Sequence, residues 1–361
     1  MAEADAARRL LRRLVAELRQ RGHASPEAAT ALALLACRLG QASLAASLTE
    51  LAVRGGQVLD FRISWLRHRL AGECLPPGPG HAETLARTRA EAMEVLDAFY
   101  RHHLEAGDVD LINGAGGVGM TLWDLADEPA RARLAQPITR IALSILEQRS
   151  YGLYHGRSGG ILLLRMLGRR YGEDRQVTAA VDALLRHLEG LTPAVLDRDW
   201  LGVGGVTMCY GQPGMLTALG PEVDPLVLAR FVDAAITGPA LARLDELLAD
   251  ADADADVSVC HGLAGLSLVT RFAPGWRELV GPDRRARLAA RLAHHLDQAD
   301  DQAVAAIFDT PFLLSVIEGT LGTALALAEC ETTSRPWWGI CVSLGDGSAA
   351  VAGSQAIGSS R

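Results

Sequence analysis

Apolar residues recur at three- and four-residue spacing along most of the chain, the period of one face of an α-helix. The pattern is clearest in ARARLAQPITRIALSILEQ, RQVTAAVDALLRHLEGL, DPLVLARFVDAAITGPALARLDELL and RRARLAARLAHHLDQ. Each sets a charged face against an apolar one. The stretches 3–21 and 27–53 carry the same period and predict opening helices. Strict alternation of β-branched residues is scarce, so the pattern predicts an all-α protein. PPGPGH (76–81) and DADADAD (250–256) interrupt the period and read as loops.

Between the amphipathic stretches lies a second pattern. LINGAGGVGM (111–120), LYHGRSGGIL (153–162), MCYGQPGMLT (208–217), VCHGLAGLSL (259–268) and VIEGTLGTAL (316–325) share an apolar pair, a Gly-x-x-Gly and an apolar helical run. Their first glycines are Gly114, Gly156, Gly211, Gly262 and Gly319, spaced by 42, 55, 51 and 57 residues. Repetition at a period near 50 is the mark of stacked supersecondary units. Each unit is an amphipathic helix, a loop, then a mostly apolar helix that opens at the glycines. Helices apolar all round belong inside and helices with one charged face belong outside. The units therefore predict an α/α barrel, or toroid, with an inner and an outer helical layer.

In a ring of equivalent hairpins, equivalent positions face one end of the cavity. One residue before the first glycine the repeats carry Asn113, His155, Tyr210, His261 and Glu318. Two before it they carry Ile112, Tyr154, Cys209, Cys260 and Ile317. Ligand-type side chains thus converge in an otherwise apolar setting. Cys209, Cys260 and His261 offer two thiolates and an imidazole, which leaves a fourth tetrahedral position open, as in catalytic zinc sites. Both cysteines stand at predicted helix N-termini, where the helix dipole favours an anion. Such a site suits binding and activating a thiol more than making hydroxide from water. His155, one repeat earlier, is a candidate proton carrier. Asp110, four residues before Gly114, is placed to orient such a group, and Tyr210 is a third polar candidate.

Composition narrows the functional classes. Hydrophobic residues make up 49% of 361 and charged residues 22%, enough for a large core, while aromatics reach only 5%. The net charge of −8, with no dense Lys/Arg block, argues against nucleic-acid binding. No signal-peptide core and no long charge-free apolar stretch is present, so a cytoplasmic chain without a transmembrane segment is expected. Six cysteines in a chain of this length do not suggest a disulfide scaffold. Cys37 and Cys330 read as helix-core residues, and Cys74, beside the PPGPG loop, carries no functional signal.

The strings GLYHGRSGG, MCYGQPG, SVCHGLAG and IEGTLG resemble the signature of the lanthionine synthetase C-like (LanC) family, in order, over residues 100–330. The resemblance implies a double α-barrel with seven inner and seven outer helices. It implies one Zn2+ on Cys209, Cys260 and His261, His155 as the acid/base residue, Asp110 as an acidic residue beside it, and Tyr210 beside the metal. The implied reaction adds peptide cysteine thiols to dehydroalanine or dehydrobutyrine, closing lanthionine or methyllanthionine rings in a dehydrated precursor peptide. Implied partners are a separate dehydratase and a membrane-bound processing and transport complex. Where bacterial cyclases of the family carry Trp and Arg before the first zinc cysteine, this chain has Met208 and Gly205. Alternatives are a LanC-like protein that binds zinc and glutathione without cyclising, and a zinc barrel of the prenyltransferase type. The barrel domain is expected to span 1–343, with atypical opening hairpins in 1–100 and a disordered Gly/Ser-rich tail at 344–361.

Overall fold

The structure is a computed structural model. It describes residues 2–189 (except 57, 59, 113, 149 and 172–173), 207–209, 211–219, 237–249, 256–272, 274–309 and 319–328. Fifteen helices and no strand occur among them, so the all-α expectation holds. They are α1 (Ala2–Arg21), α2 (Pro26–Arg38), α3 (Ala42–Arg54), α4 (Phe61–Cys74) and α5 (His81–Ala106). Then follow α6 (Ala115–Leu125), α7 (Glu128–Leu146), α8 (Arg157–Tyr171), α9 (Asp174–Glu189) and α10 (Gln212–Leu219). The series closes with α11 (Thr237–Ala249), α12 (Leu263–Phe272), α13 (Pro274–Gln298), α14 (Asp301–Asp309) and α15 (Thr320–Ala328).

Seven of these helices pack in a closed cycle. α2 lies against α4, α4 against α6, α6 against α8, α8 against α10, α10 against α12, α12 against α15, and α15 against α2. This is the inner layer, and its composition explains its place. Every residue of α2 from Ala28 to Ala36 is buried, as are Ala115–Trp123 of α6 and Leu321–Ala328 of α15. A helix with no polar face is stable in water only when surrounded, and the ring surrounds it. The outer helices bury one stripe each: α1 its Leu10, Leu11 and Leu14, α7 its Ile138, Ile141 and Ile145.

Local chemistry sets the boundaries. Ser25 accepts the Ala28 N–H at 3.1 Å and starts α2, with Pro26 at its first position. Asp60 accepts the Arg62 and Ile63 N–H groups at 2.9 Å and starts α4. The stretch 27–53 forms the two helices α2 and α3, and the chain turns between them through Leu39 and Gly40, the latter at φ +71°. Apolar residues continue across that turn, so periodicity alone hides it. The 76–81 loop ends one residue earlier than read, since His81 already opens α5.

The ring has no covalent closure, so its first and last elements must recognise each other. α1 packs on α13, α14 and α15. Three arginines on α1 meet three aspartates at one constant separation of 288 residues. Arg9 bonds Asp297 at 2.6 Å, Arg13 bonds Asp301 at 2.9 Å and Arg21 bonds Asp309 at 2.6 Å. Arg21 also donates to the Ala305 carbonyl at 3.0 Å and lies over the Phe308 ring. Single surface ion pairs are weak, but three in one register oppose sliding of α1 along its partners. The buried leucines hold the helix there and the charges fix where it stops.

The hydrogen bond from Arg21 holds the Asp309 carboxyl below the usual carboxylate range. A carboxyl whose folded pKa is depressed adds stability above its unfolded pKa and loses it as pH falls through the folded value. Thermal melts followed by circular dichroism are therefore expected to shift down on acidification from about pH 5 to about pH 3. In Arg21→Ala the neutral-pH midpoint drops and the acid-induced loss is smaller. An identical acid slope in the variant and the parent would show that the seam does not rest on this pair.

Candidate metal centre

The Gly-x-x-Gly segments run from the preceding loops into the first turn of inner helices α6, α8, α10, α12 and α15. The second glycine is required by a close backbone approach. A Cβ at Gly117, Gly159, Gly214 or Gly265 would come closer than 3.0 Å to the carbonyl oxygen six residues earlier, on Leu111, Leu153, Met208 or Val259. It would also strike the neighbouring loop: Leu111 lies over Gly159, Leu153 over Gly214, and Met208 over Gly265. The first glycine is as tight at Gly114, Gly156 and Gly262. In three loops one backbone bond recurs. Ala115 donates to the Asp108 carbonyl, Arg157 to Ser150 and Leu263 to Asp256, each at 2.9 Å.

Neighbouring loops are then joined backbone to backbone. The Leu111 N–H donates to the Tyr154 carbonyl at 2.9 Å, Leu153 to Met208 at 3.3 Å, and Cys209 to Cys260 at 3.1 Å. This lacing brings together residues that are some 50 positions apart. The ligand-type side chains of the sequence pattern ride on it.

Cys209, Cys260 and His261 form one group whose donor atoms all lie within 4.8 Å of one another. Both cysteines are fully buried and His261 is partly buried. His261 Nε2 stands 3.7 Å from Cys260 Sγ. Its backbone N–H donates to Ser258 Oγ at 3.2 Å, and the Ser258 N–H donates to Asp256 Oδ1 at 2.7 Å. The Cys209 and Cys260 sulfurs are in disulfide contact, with Cα atoms 5.5 Å apart. That backbone spacing serves a disulfide or a shared metal, and the imidazole beside the sulfurs offers a third donor to the second. Two thiolates and a neutral imidazole fit a divalent, sulfur-seeking cation such as zinc.

Asp110 and His155 meet across the first two loops. His155 Nδ1 lies 2.9 Å from Asp110 Oδ2. The other carboxylate oxygen, Oδ1, accepts the Ile112 N–H at 3.0 Å and the Gly114 N–H at 2.9 Å. The carboxylate is thereby pinned by its own loop and fixes the imidazole of the next one. The contact engages Nδ1 of the ring with the carboxylate.

Tyr210, Asn113 and Glu318 lie outside the described residues, as do Gly205, Cys330 and the tail at 344–361. Met208 is fully buried, with its side chain packed over Gly265. Asp256 and Ser258, which build the loop that presents His261, escaped the sequence reading. The signal for Asp256 is the polar residue six before the first glycine, shared by Asp108, Ser150 and Asp256.

No family model matches the chain, and no curated protein matches it by sequence. Its fold matches that of a solved structure titled nisin cyclase. The match has a TM-score of 0.55 and 15% identity and covers 93% of this chain and 96% of that one. The toroid expected from the LanC-like motifs is thus the fold found. Among the described residues no helix is long and apolar enough to cross a membrane.

Because the second glycine carries the loop geometry, Gly265→Ala is expected to cost roughly 1–3 kcal/mol in urea unfolding. Gly78→Ala, where a Cβ meets nothing within 4 Å, should change stability by less than about 0.5 kcal/mol. Equal costs at the two positions would refute the close-approach argument.

Proposed function

We propose that the chain is a zinc-dependent lanthionine synthetase that closes thioether rings in a dehydrated precursor peptide. The observation that carries the reading is the buried Cys209, Cys260 and His261 group on adjoining loops. The nisin cyclase fold supports it, because the group occupies loops that the LanC-like motifs mark for the metal.

The two cysteines and the histidine would hold Zn2+ through Sγ, Sγ and Nε2. Bound there, the ion supplies Lewis acidity that keeps an incoming cysteine thiol deprotonated near neutral pH. Two thiolate donors cancel its charge, which favours a nucleophilic sulfur over a strongly acidic water. The remaining steps belong to the chain. In the overall addition the peptide sulfur bonds to the β-carbon of a dehydroamino acid and the α-carbon gains a proton, with no leaving group. His155 delivers that proton from Nε2, while Asp110 holds the ring in one tautomer through Nδ1. The buried setting of the thiols keeps water from competing with the entering peptide.

The reading also assigns partners. A chain of this kind acts on a peptide dehydrated elsewhere, so a separate dehydratase must supply its substrate, and a membrane-bound transport complex is the proposed place of work. Tyr210 is proposed as a hydrogen-bond donor beside the metal.

Elemental analysis under reducing conditions is expected to give about one zinc per chain, the capacity of a single three-donor site. Cys260→Ala should lose the metal and thioether formation together. Asp110→Asn should keep the zinc and slow cyclisation by roughly 10–100-fold, with His155→Ala slower still, about 100- to 10,000-fold. Zinc without cyclisation in the parent would favour the thiol-binding, non-cyclising reading. A metal-free parent protein would sink the proposal.

A further inference from the structure

Threonines buried in a helix normally turn their hydroxyls back onto a carbonyl of the preceding turn. In the inner layer Thr30 bonds the Pro26 carbonyl, Thr121 those of Gly117 and Val118, Thr217 that of Pro213 and Thr270 that of Ser267, each on its own helix. Thr323 of α15 does not. Its fully buried hydroxyl donates to the Val257 carbonyl at 2.9 Å, across 66 residues and into the neighbouring repeat. Val257 stands between the two residues that shape the loop of Cys260 and His261. Asp256 Oδ1 accepts the Ser258 N–H at 2.7 Å, and Ser258 Oγ accepts the His261 N–H at 3.2 Å. Ser258 lies four residues before Gly262, the place that Asp110 holds before Gly114. Asp110 there accepts the Ile112 and Gly114 N–H groups, so the same place ties down the loop in both repeats.

We propose that Ser258 and Thr323 are positioning residues for the metal, which hold the Cys260–His261 loop in its binding shape and so set how tightly a divalent cation is kept. The inference rests on the metal reading above and extends it to two residues that are not themselves donors. Each acts through the backbone. Ser258 fixes the amide of His261, the residue that brings the imidazole to the two sulfurs. Thr323 fixes the carbonyl of Val257, one residue upstream of Ser258. Its own helix has little room to yield, because α15 packs on α1, α2, α12 and α13. When either bond is lost, the metal-free loop gains conformations that cannot bind, and the ion must restore the order at the expense of affinity. Residues that orient metal ligands act on affinity in this way without touching the ion.

The test is the Zn2+ affinity of the full chain, measured in a thiol-free reductant by competition with a chromophoric chelator. Thr323→Val keeps the side-chain shape and removes the hydroxyl, and it is expected to bind zinc roughly 10-fold more weakly. Ser258→Ala should weaken binding by a similar factor. Thr323→Ser retains the hydroxyl and should stay within about 3-fold of the parent. Thr121→Val removes a buried hydroxyl that bonds its own helix, and should leave the affinity unchanged. Parent-like affinity in Ser258→Ala, or in a folded Thr323→Val, overturns the proposal, and a lowered melting temperature alone would mark a purely structural role. An equal loss in Thr121→Val overturns it as well, since the crossing bond would then not be the cause. A parent chain that binds no zinc overturns the metal reading itself, and this inference with it.

Discussion

The structure depends on one close passage of backbone over backbone at the entrance to four inner helices, α6, α8, α10 and α12. The carbonyl three residues before the first glycine sits where the Cβ of the second glycine would be. No side chain fits there, and the gap left by its absence is filled by a residue of the neighbouring loop. The same passage lets the Leu111, Leu153 and Cys209 N–H groups reach carbonyls in the next loop. Close packing, satisfied backbone and contact between repeats are therefore one interaction seen from three sides.

The placement of chemistry follows from that constraint. Once neighbouring loops are joined at a fixed position, the residues just before the glycines have no freedom to diverge. Asp110 reaches His155 across 45 residues of sequence, and Cys209 meets Cys260 across 51. The setting then limits what these groups can be. A thiolate taken out of water among Val259, Met208 and Leu153 is costly unless a cation faces it. Two such thiolates side by side are costlier still. A buried donor set of this kind avoids that cost as neutral thiols, as a disulfide or around a metal, and His261 adds a donor only to the last of these.

The ring, its layers and the meeting of Cys209, Cys260 and His261 were legible because repetition makes a weak signal strong. One Gly-x-x-Gly says little, but five in register say which residues share a position. Where the repeat lapses, legibility lapses with it. α2 and α4 belong to the inner ring but enter it through Ser25 and Asp60 caps with no glycine pair, so the opening hairpins carried no motif. Gly40 splits 27–53 inside an unbroken apolar pattern. Asp256 shares its place with Asp108 and Ser150, but Ser258 acts through loop hydrogen bonds that no periodicity records. The Arg–Asp series on α1, α13 and α14 is equally invisible, for its regularity appears only after the ends of the chain are brought together.

That seam matters beyond closure. α15, against which α1 packs, sends the Thr323 hydroxyl to the Val257 carbonyl at 2.9 Å. Val257 lies between Asp256 and Ser258, in the loop that presents Cys260 and His261. A shift of α1 that displaced α15 would therefore be felt at Cys260 and His261 through one helix and one hydrogen bond. In an open stack of repeats the terminal units could loosen without consequence for the middle. In a closed ring no unit is terminal, and the register set by Arg9, Arg13 and Arg21 becomes part of the geometry of the site. The charges on the outside and the glycines on the inside solve the same problem, which is to fix how far each helix may slide past the next.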